Sequence, residues 1–201
     1  MKKMIVTLAL TLSSFAFGSS WEIDAAHAAA NFSVRHMMLS HVRGTLGTVT
    51  GKVDLDDQDI TKSVVMASID TKGIDTKNQK RDDHLRSKEF LEAEKFPTIT
   101  FKSTKIVKGS AEGQLKVSGD LTIHGVTKPV TLETEVTGEV ANPFTKTITR
   151  AIAASTTINR RDFGLNWQVP MANNGVVAGD EVQISIEAEI MKKDAASTPK
   201  K

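Results

Sequence analysis

Apolar and polar residues alternate along most of this chain with a period of two. The clearest case is 182–190, where every even position is apolar and every odd position is polar. Such alternation is typical of a β-strand that turns one face to a core and the other to water. It recurs often enough to predict eight strands, near residues 28–36, 44–55, 62–70, 97–107, 113–124, 127–138, 147–158 and 181–191.

Short turns join most of these strands. His124 and Gly125 separate two of them, which predicts a tight antiparallel hairpin. Strands with one apolar face and short connections favour an antiparallel meander. Eight such strands can close into a barrel, whose interior is either filled by side chains or left open for one ligand. The expected fold class is therefore all-β, an eight-stranded antiparallel barrel.

Residues 75–94 do not alternate. We interpret them as a helix across the barrel, with Leu85, Phe90 and Leu91 turned inward and Pro97 starting the next strand. A long solvated loop is the alternative interpretation, because the segment carries only weak helix caps.

Both ends of the chain differ from the middle. Lys2 and Lys3 precede an apolar run over 4–17 and small residues at 18–20, so residues 1–20 are predicted to be a signal peptide that exports the protein to the periplasm. The apolar run is short for an uncleaved membrane anchor. Residues 21–191 are expected to form one domain, followed by a disordered tail over 192–201.

Composition narrows the possible functions. The chain has 26 basic and 24 acidic residues, and without Lys2 and Lys3 the balance is 24 to 24, which does not suggest a nucleic-acid partner. There is no cysteine, so a hydrophobic core must hold the fold together. The inward positions are mostly Val, Ile, Leu and Ala, and aromatic residues are few, which favours an open cavity.

Several stretches resemble the YceI-like family of periplasmic polyisoprenoid-binding proteins. The resemblance runs from about residue 21 to 190, and its most specific part is the run Gly-Asp-Leu-Thr-Ile-His-Gly-Val-Thr-Lys-Pro over 119–129. The other parts are Trp21 to Asp24 with His27, then 32–36, 44–51, 82–90, 96–101 and 159–164. The resemblance implies a lipocalin-like barrel with a helix between strands 3 and 4, a homodimer, and an isoprenoid chain in an apolar pore.

Motifs for chemistry are scarce in this sequence. It lacks a cysteine nucleophile, a Gly-x-Ser-x-Gly elbow and a His-Glu-x-x-His zinc motif, so an enzyme is not expected. His27, His36 and His41 are close in sequence, but they fall before, at the end of and after one strand. Metal ligands must converge on one ion, so neither a metal site nor a cofactor is expected.

The candidate ligand-binding residues lie on inward strand faces and at one end of the barrel. An arginine fork can bind phosphate or carbonyl oxygens, so Arg160 or Arg161 could orient a diphosphate or quinone head group. Alternatively, one of them pairs with Asp162 or covers the barrel end. The full candidate set is Phe32, Val34, His36, Phe90, Phe101, Leu121, Ile123, Asn159, Arg160, Phe163 and Trp167.

These observations lead to one main hypothesis. The protein is expected to hold an isoprenoid lipid or isoprenoid quinone in the periplasm for transport, storage or sequestration, as a homodimer in transient contact with the inner membrane. Two alternatives remain open: an enzyme or redox partner acting on the bound lipid, and a binder of other amphiphiles such as fatty amides.

Overall fold

The structure, a computed structural model, describes residues 18–172 and 175–193. The predicted signal peptide therefore lies outside the described residues except for 18–20, and so does the predicted tail from residue 194. The described residues form one α-helix, α1 (Gln79–Arg86), and ten strands: β1 (Ser19–His36), β2 (Ser40–Thr45), β3 (Val49–Leu55), β4 (Val64–Asp70), β5 (Thr98–Lys108), β6 (Gln114–Ile123), β7 (Val126–Val136), β8 (Val140–Ala141), β9 (Ile148–Asn159) and β10 (Ala178–Lys192).

The strands close into an antiparallel barrel with eight positions around its wall. The order is β1, β3, β4, β5, β6, β7, β9 and β10, and β10 pairs with both β9 and β1 to complete the circle. β2 shares its position with β3, because both pair with β1, and β8 only extends the edge of β9. The predicted all-β, eight-stranded barrel is confirmed.

β1 begins earlier than the alternation predicts. It starts at Ser19, which pairs with Leu55 of β3, and not near residue 28. Ile23 and Ala28 of β1 pair with Ile190 and Ala188 of β10, so the four residues 24–27 stand opposite one partner. This bulge interrupts the period of two, so the alternation of apolar and polar residues does not predict the first part of the strand.

The strand predicted over 44–55 is two strands. The chain breaks between β2 and β3 at Gly47, whose φ of 121° is open only to glycine. An added Cβ there would lie 2.0 Å from the carbonyl oxygen of Asp70. The Leu46 N–H donates to the Ala30 carbonyl at 2.8 Å, so the break remains tied to β1.

α1 lies between β4 and β5, which are the third and fourth positions of the wall, as expected. It is shorter than the predicted helix over 75–94, because Ser87 ends it and turns follow to β5. Asn78 caps it by accepting from the Arg81 N–H, and the buried Asp82 carboxylate accepts from the Thr76 N–H and hydroxyl. Eight residues make a marginal helix by themselves, so these bonds and the packing of Leu85 hold it.

No helix within residues 18–172 and 175–193 has the length and apolar character needed to cross a bilayer.

Candidate functional site

The barrel is hollow. Its inward side chains enclose a cavity of about 580 Å³, which falls within the roughly 300–1,000 Å³ of small-molecule sites. Aliphatic and phenylalanine side chains supply most of the wall, and the small side chains of Ala67 and Ala154, with Ala188 nearer the Trp21 end, leave space inside. The interior is open, as predicted. Small inward side chains leave this space, in addition to the low number of aromatic residues.

The cavity is elongated along the barrel. β9 lines it with Ile152, Ala154, Thr156 and Ile158, and β10 does so from Val182 to Ala188. Six residues of strand rise about 20 Å, and a strand tilt near 40° reduces this to about 15 Å along the axis. Such a space suits a chain-like ligand better than a compact one.

One end of the cavity is closed by Trp21. Its side chain is fully buried and packs with Val53, Leu55 and Ile190. The indole N–H donates to the Ser19 hydroxyl at 2.9 Å, so its polar atom is satisfied within this apolar cluster. The guanidinium of Arg150 lies over this ring in a cation–π contact, 5.3 Å from the ring centroid. Tryptophan packing seals this end and leaves no polar atom of Trp21 itself unpaired.

The other end is the mouth, and three rings stand together there. His84 of α1 contacts Phe90 and Trp167 edge to face, at centroid distances of 4.9 and 5.2 Å, and Phe90 lies 5.1 Å from Trp167. All three line the cavity. The His84 ring nitrogen Nε2 is 2.5 Å from a Glu89 carboxylate oxygen, which fixes the orientation of the imidazole. The mouth is therefore apolar on its inner side and polar where it meets water.

Arg160 is a buried clamp at this end. Asn159 caps a 3₁₀ helix over Arg160–Phe163, and this helix turns the Arg160 side chain toward the start of β10. The guanidinium donates to the carbonyl oxygens of Gly179 at 2.8 Å, of Ala178 at 3.3 Å and of Leu165, and it pairs with Asp180 at 3.0 Å. Burial lowers the pKa of Arg160, and the neighbouring Asp180 carboxylate opposes that shift.

Other cationic side chains at the mouth make fewer hydrogen bonds than Arg160. Arg81 donates to the Thr76 hydroxyl at 2.7 Å and Arg35 to the Met38 carbonyl at 2.9 Å, while Lys80 is exposed and has no hydrogen bond or ion pair with the described residues. All three line the cavity, and no Asp or Glu among the described residues does so. The mouth thus offers positive charge without a competing carboxylate on its wall.

Most of the predicted site residues meet at this cavity, but Asn159 and Phe163 do not line it. The Asn159 carboxamide accepts from the Arg161 N–H at 2.9 Å, and Phe163 is 1% exposed within the main core. Arg161 pairs with Asp180 at 2.7 Å, and not with Asp162 as one alternative expected. The predicted residues on the cavity wall are Phe32, Val34, His36, Phe90, Phe101, Leu121, Ile123, Arg160 and Trp167.

The sequence reasoning missed much of the wall. β9 and β10 each contribute at least four residues, none of which is among the candidates, although their alternation identified both strands. Because residues i and i+2 share a face, extending each strand's inward set would have found them. The mouth cations Lys80 and Arg81 have no such signal, since their position depends on how α1 packs over the barrel.

One cluster of possible metal ligands lies on the barrel wall away from the mouth. In the described part of the chain, ligand atoms of Asp24, His27 and Glu189 lie within 4.8 Å of one another. The His27 Nδ1 is 2.7 Å from an Asp24 oxygen, so the two already form a hydrogen-bonded ion pair. This hydrogen bond is the main reason that the pKa of His27 is raised and that of Asp24 is lowered.

The closed barrel, the sealed floor and the apolar cavity define a lipocalin-like barrel, whose interior and not a surface cleft is the candidate ligand site. Residues 21–190 match the family described as the YceI-like domain, and the chain belongs to that family.

Proteins similar to this chain agree with that assignment. A UPF0312 protein of Vibrio parahaemolyticus is 40% identical over 142 residues, which cover 70% of this chain and 74% of the relative. The crystal structure of the Campylobacter jejuni YceI protein is 26% identical, with a TM-score of 0.66 over 79% of this chain and 90% of its own. A polyisoprenoid binding domain from Saccharophagus degradans has a TM-score of 0.64 at 16% identity, over 87% and 99%, and at that identity the likeness concerns the fold alone.

Proposed function

We propose that this protein holds the chain of an isoprenoid lipid or isoprenoid quinone in its barrel, for transport, storage or sequestration in the periplasm. The observation that carries the proposal is the elongated apolar cavity that is sealed at Trp21 and open at a cationic mouth. The predicted export signal, membership of the YceI-like family and the fold shared with a polyisoprenoid binding domain support it. We also propose that the protein is a homodimer that meets the inner membrane transiently.

The ligand's orientation follows from the chemistry of the two ends. A hydrocarbon tail directed toward Trp21 meets apolar side chains, whereas a charged or carbonyl-bearing head meets Lys80 and Arg81 at the mouth. Placing the head at the closed end would bury a polar group without partners, which costs several kcal/mol. The head group therefore remains at the mouth, within reach of the exposed Lys80 amine.

The energetics suit a carrier or temporary store. Burying one five-carbon isoprene unit stabilises the complex by about 4 kcal/mol relative to water, at about 0.8 kcal/mol per carbon. A bilayer interior is as apolar as the cavity wall, so it offers nearly the same stabilisation. Exchange between membrane and barrel is then near balance, and the protein's contribution is to shield the chain from water.

Blocking the cavity tests this function. Ala154 faces the middle of the cavity, so A154F places a ring where we propose that the chain runs. Displacing one isoprene unit removes about 4 kcal/mol of burial, or close to a thousandfold in affinity. We expect solvent extraction and mass spectrometry of protein purified from membrane-containing cells to recover isoprenoid from the wild type and almost none from A154F.

The matched control is A153F, one residue earlier on the same strand. Ala153 is exposed on the outer face, so this ring adds apolar surface without entering the cavity. A153F should retain its lipid. Equal lipid recovery from A154F and the wild type would contradict the assigned site, and repeated recovery of no lipid from the wild type would contradict the function. Recovery of acyl amphiphiles alone would favour the fatty-amide alternative.

A further inference from the structure

The hairpin between β1 and β2 has a strained turn at its tip. Met37 and Met38 have φ of 50° and 61°, and the Leu39 N–H donates to the His36 carbonyl at 3.0 Å, which closes a two-residue turn. Two consecutive left-handed residues are the positions where Asn-Gly is preferred, and each methionine there costs about 1–2 kcal/mol. The hairpin at 124–125, also at the mouth end, places glycine at its second position.

Backbone hydrogen bonds hold this turn, but its side chains gain little packing. The Met37 N–H donates to the Val177 carbonyl and the Arg35 guanidinium to the Met38 carbonyl, each at 2.9 Å. Met38 and Leu39 are 51% and 78% exposed, and Met37 is more covered, at 38%. We name these three residues the 37–39 tip. Two left-handed methionines that present exposed apolar side chains at Met38 and Leu39 point to a role outside the fold.

The 37–39 tip lies at the cavity mouth. Its neighbours Arg35, His36 and Val42 line the cavity, and the Met37 N–H donates to the Val177 carbonyl at 2.9 Å, which ties the tip to the segment before β10. Val169 on that segment is also exposed, at 44%. Apolar side chains therefore project around the opening through which a ligand must pass.

The hairpin that carries the 37–39 tip is basic. Arg35 and Arg43 are exposed on it, as is His41, and the sequence has no Asp or Glu between Asp24 and Asp54. The acidic residues beside the hairpin are Asp180 and Glu181 of β10, and Asp180 already pairs with Arg160 and Arg161. Apolar side chains flanked by basic ones are the pattern of a segment that inserts into the interface of an anionic bilayer.

We propose that the 37–39 tip docks the mouth of the barrel onto an anionic lipid bilayer. Met38 and Leu39 enter the boundary between head groups and acyl chains, and Arg35 and Arg43 contact lipid phosphates. This contact places the opening against the membrane, so a lipid chain passes between bilayer and cavity without crossing water. The inference rests on the proposed function and adds the surface and the partner that it uses.

Vesicle flotation of the full, delipidated protein tests the proposal. Wild-type protein should float with vesicles of phosphatidylcholine and phosphatidylglycerol, and less with phosphatidylcholine alone or at high salt. M38S and L39S should each lower the partition by about tenfold, because each removes one inserted side chain. R43Q should lower it by about fivefold, and only with the anionic vesicles.

Phe144 provides the matched control. It is 91% exposed in the turn between β8 and β9, at the opposite end of the barrel, so F144S removes more exposed apolar surface than either tip variant. F144S should float like the wild type. Equal losses in F144S and L39S, or no loss in L39S, would overturn the proposal, as would a tip variant that changes only the oligomeric state and identifies a second copy as the occupant.

A double variant separates the tip's strain from its docking. M37N/M38G supplies the residues that the turn prefers, so it should melt about 5 °C higher than the wild type while floating at least tenfold less. Isoprenoid loaded from ethanol should fill this variant as it fills the wild type, because the tip does not line the cavity. Tip-dependent flotation of a protein that takes up no isoprenoid would contradict the proposed function and leave the docking surface in place.

Discussion

Replacing Arg160 with methionine should destabilise the barrel, because this side chain joins two segments of the mouth. Its guanidinium donates to three carbonyl oxygens, on Leu165, Ala178 and Gly179, and pairs with Asp180. Methionine retains the apolar stem but leaves these acceptors without their donor, at about 1–3 kcal/mol for each buried one. Because part of this end can be reached by water, we expect a total loss near 3–5 kcal/mol, as for a broken buried ion pair.

Urea unfolding followed by tryptophan fluorescence measures this loss. With a slope of about 2 kcal/mol per molar urea, R160M should shift the midpoint down by about 2 M. R161M is the control, because Arg161 is 40% exposed and its pair with Asp180 should contribute at most about 1 kcal/mol. If R160M unfolds at the wild-type midpoint and yields no lipid, Arg160 binds the head group, and the clamp assignment is wrong.

Two further predictions concern the bulge of β1 and the break between β2 and β3. The pKa of His27 should lie above its ordinary value of 6.5 in an NMR titration because of the Asp24 hydrogen bond, and it should fall in D24N, where only the weaker effect of Glu189 still raises it. The stability from this pair should be lost as pH rises through the raised pKa of His27, and also as pH falls through the lowered pKa of Asp24. G47A should lose about 2–4 kcal/mol in urea unfolding, because its Cβ meets the Asp70 carbonyl at 2.0 Å and its φ is 121°. G138A is the control, because its Cβ meets nothing within 4 Å, and its free energy of unfolding should change little. If G47A and G138A lose the same stability, the backbone near Gly47 has moved to remove the clash, and the prediction is wrong.

Alternation predicted the strands well where each strand is regular. β9 and β10 follow the period of two along the length that pairs them, so their bounds could be predicted to within a few residues. Prediction failed where the backbone departs from a regular strand: the bulge over 24–27 hid the first part of β1, and Gly47 divided one expected strand into two. Both features depend on backbone dihedral angles that the hydrophobic pattern does not report.

The candidate site shows a similar division. Phe32, Phe101 and Leu121 could be placed on the wall because their inward direction follows from strand position alone. Arg160 and Phe163 could not be assigned roles in this way. The 3₁₀ helix after β9 turns Arg160 toward the carbonyls of β10 and buries Phe163 in the core. Arg160 and Gly179 are 19 residues apart, so the strand pattern does not show that they meet.

By itself, the sequence determined that the chain forms a closed sheet with an aliphatic inner face, because strand alternation assigns each side chain to one side. Only the tertiary structure decided that this inner face is hollow, that Trp21 seals one end and that the 37–39 tip stands exposed at the other. The physical reason is that inward direction is a local property of the backbone. The remaining interior volume and the exposure of a turn depend instead on how all eight wall positions curve and pack around one axis.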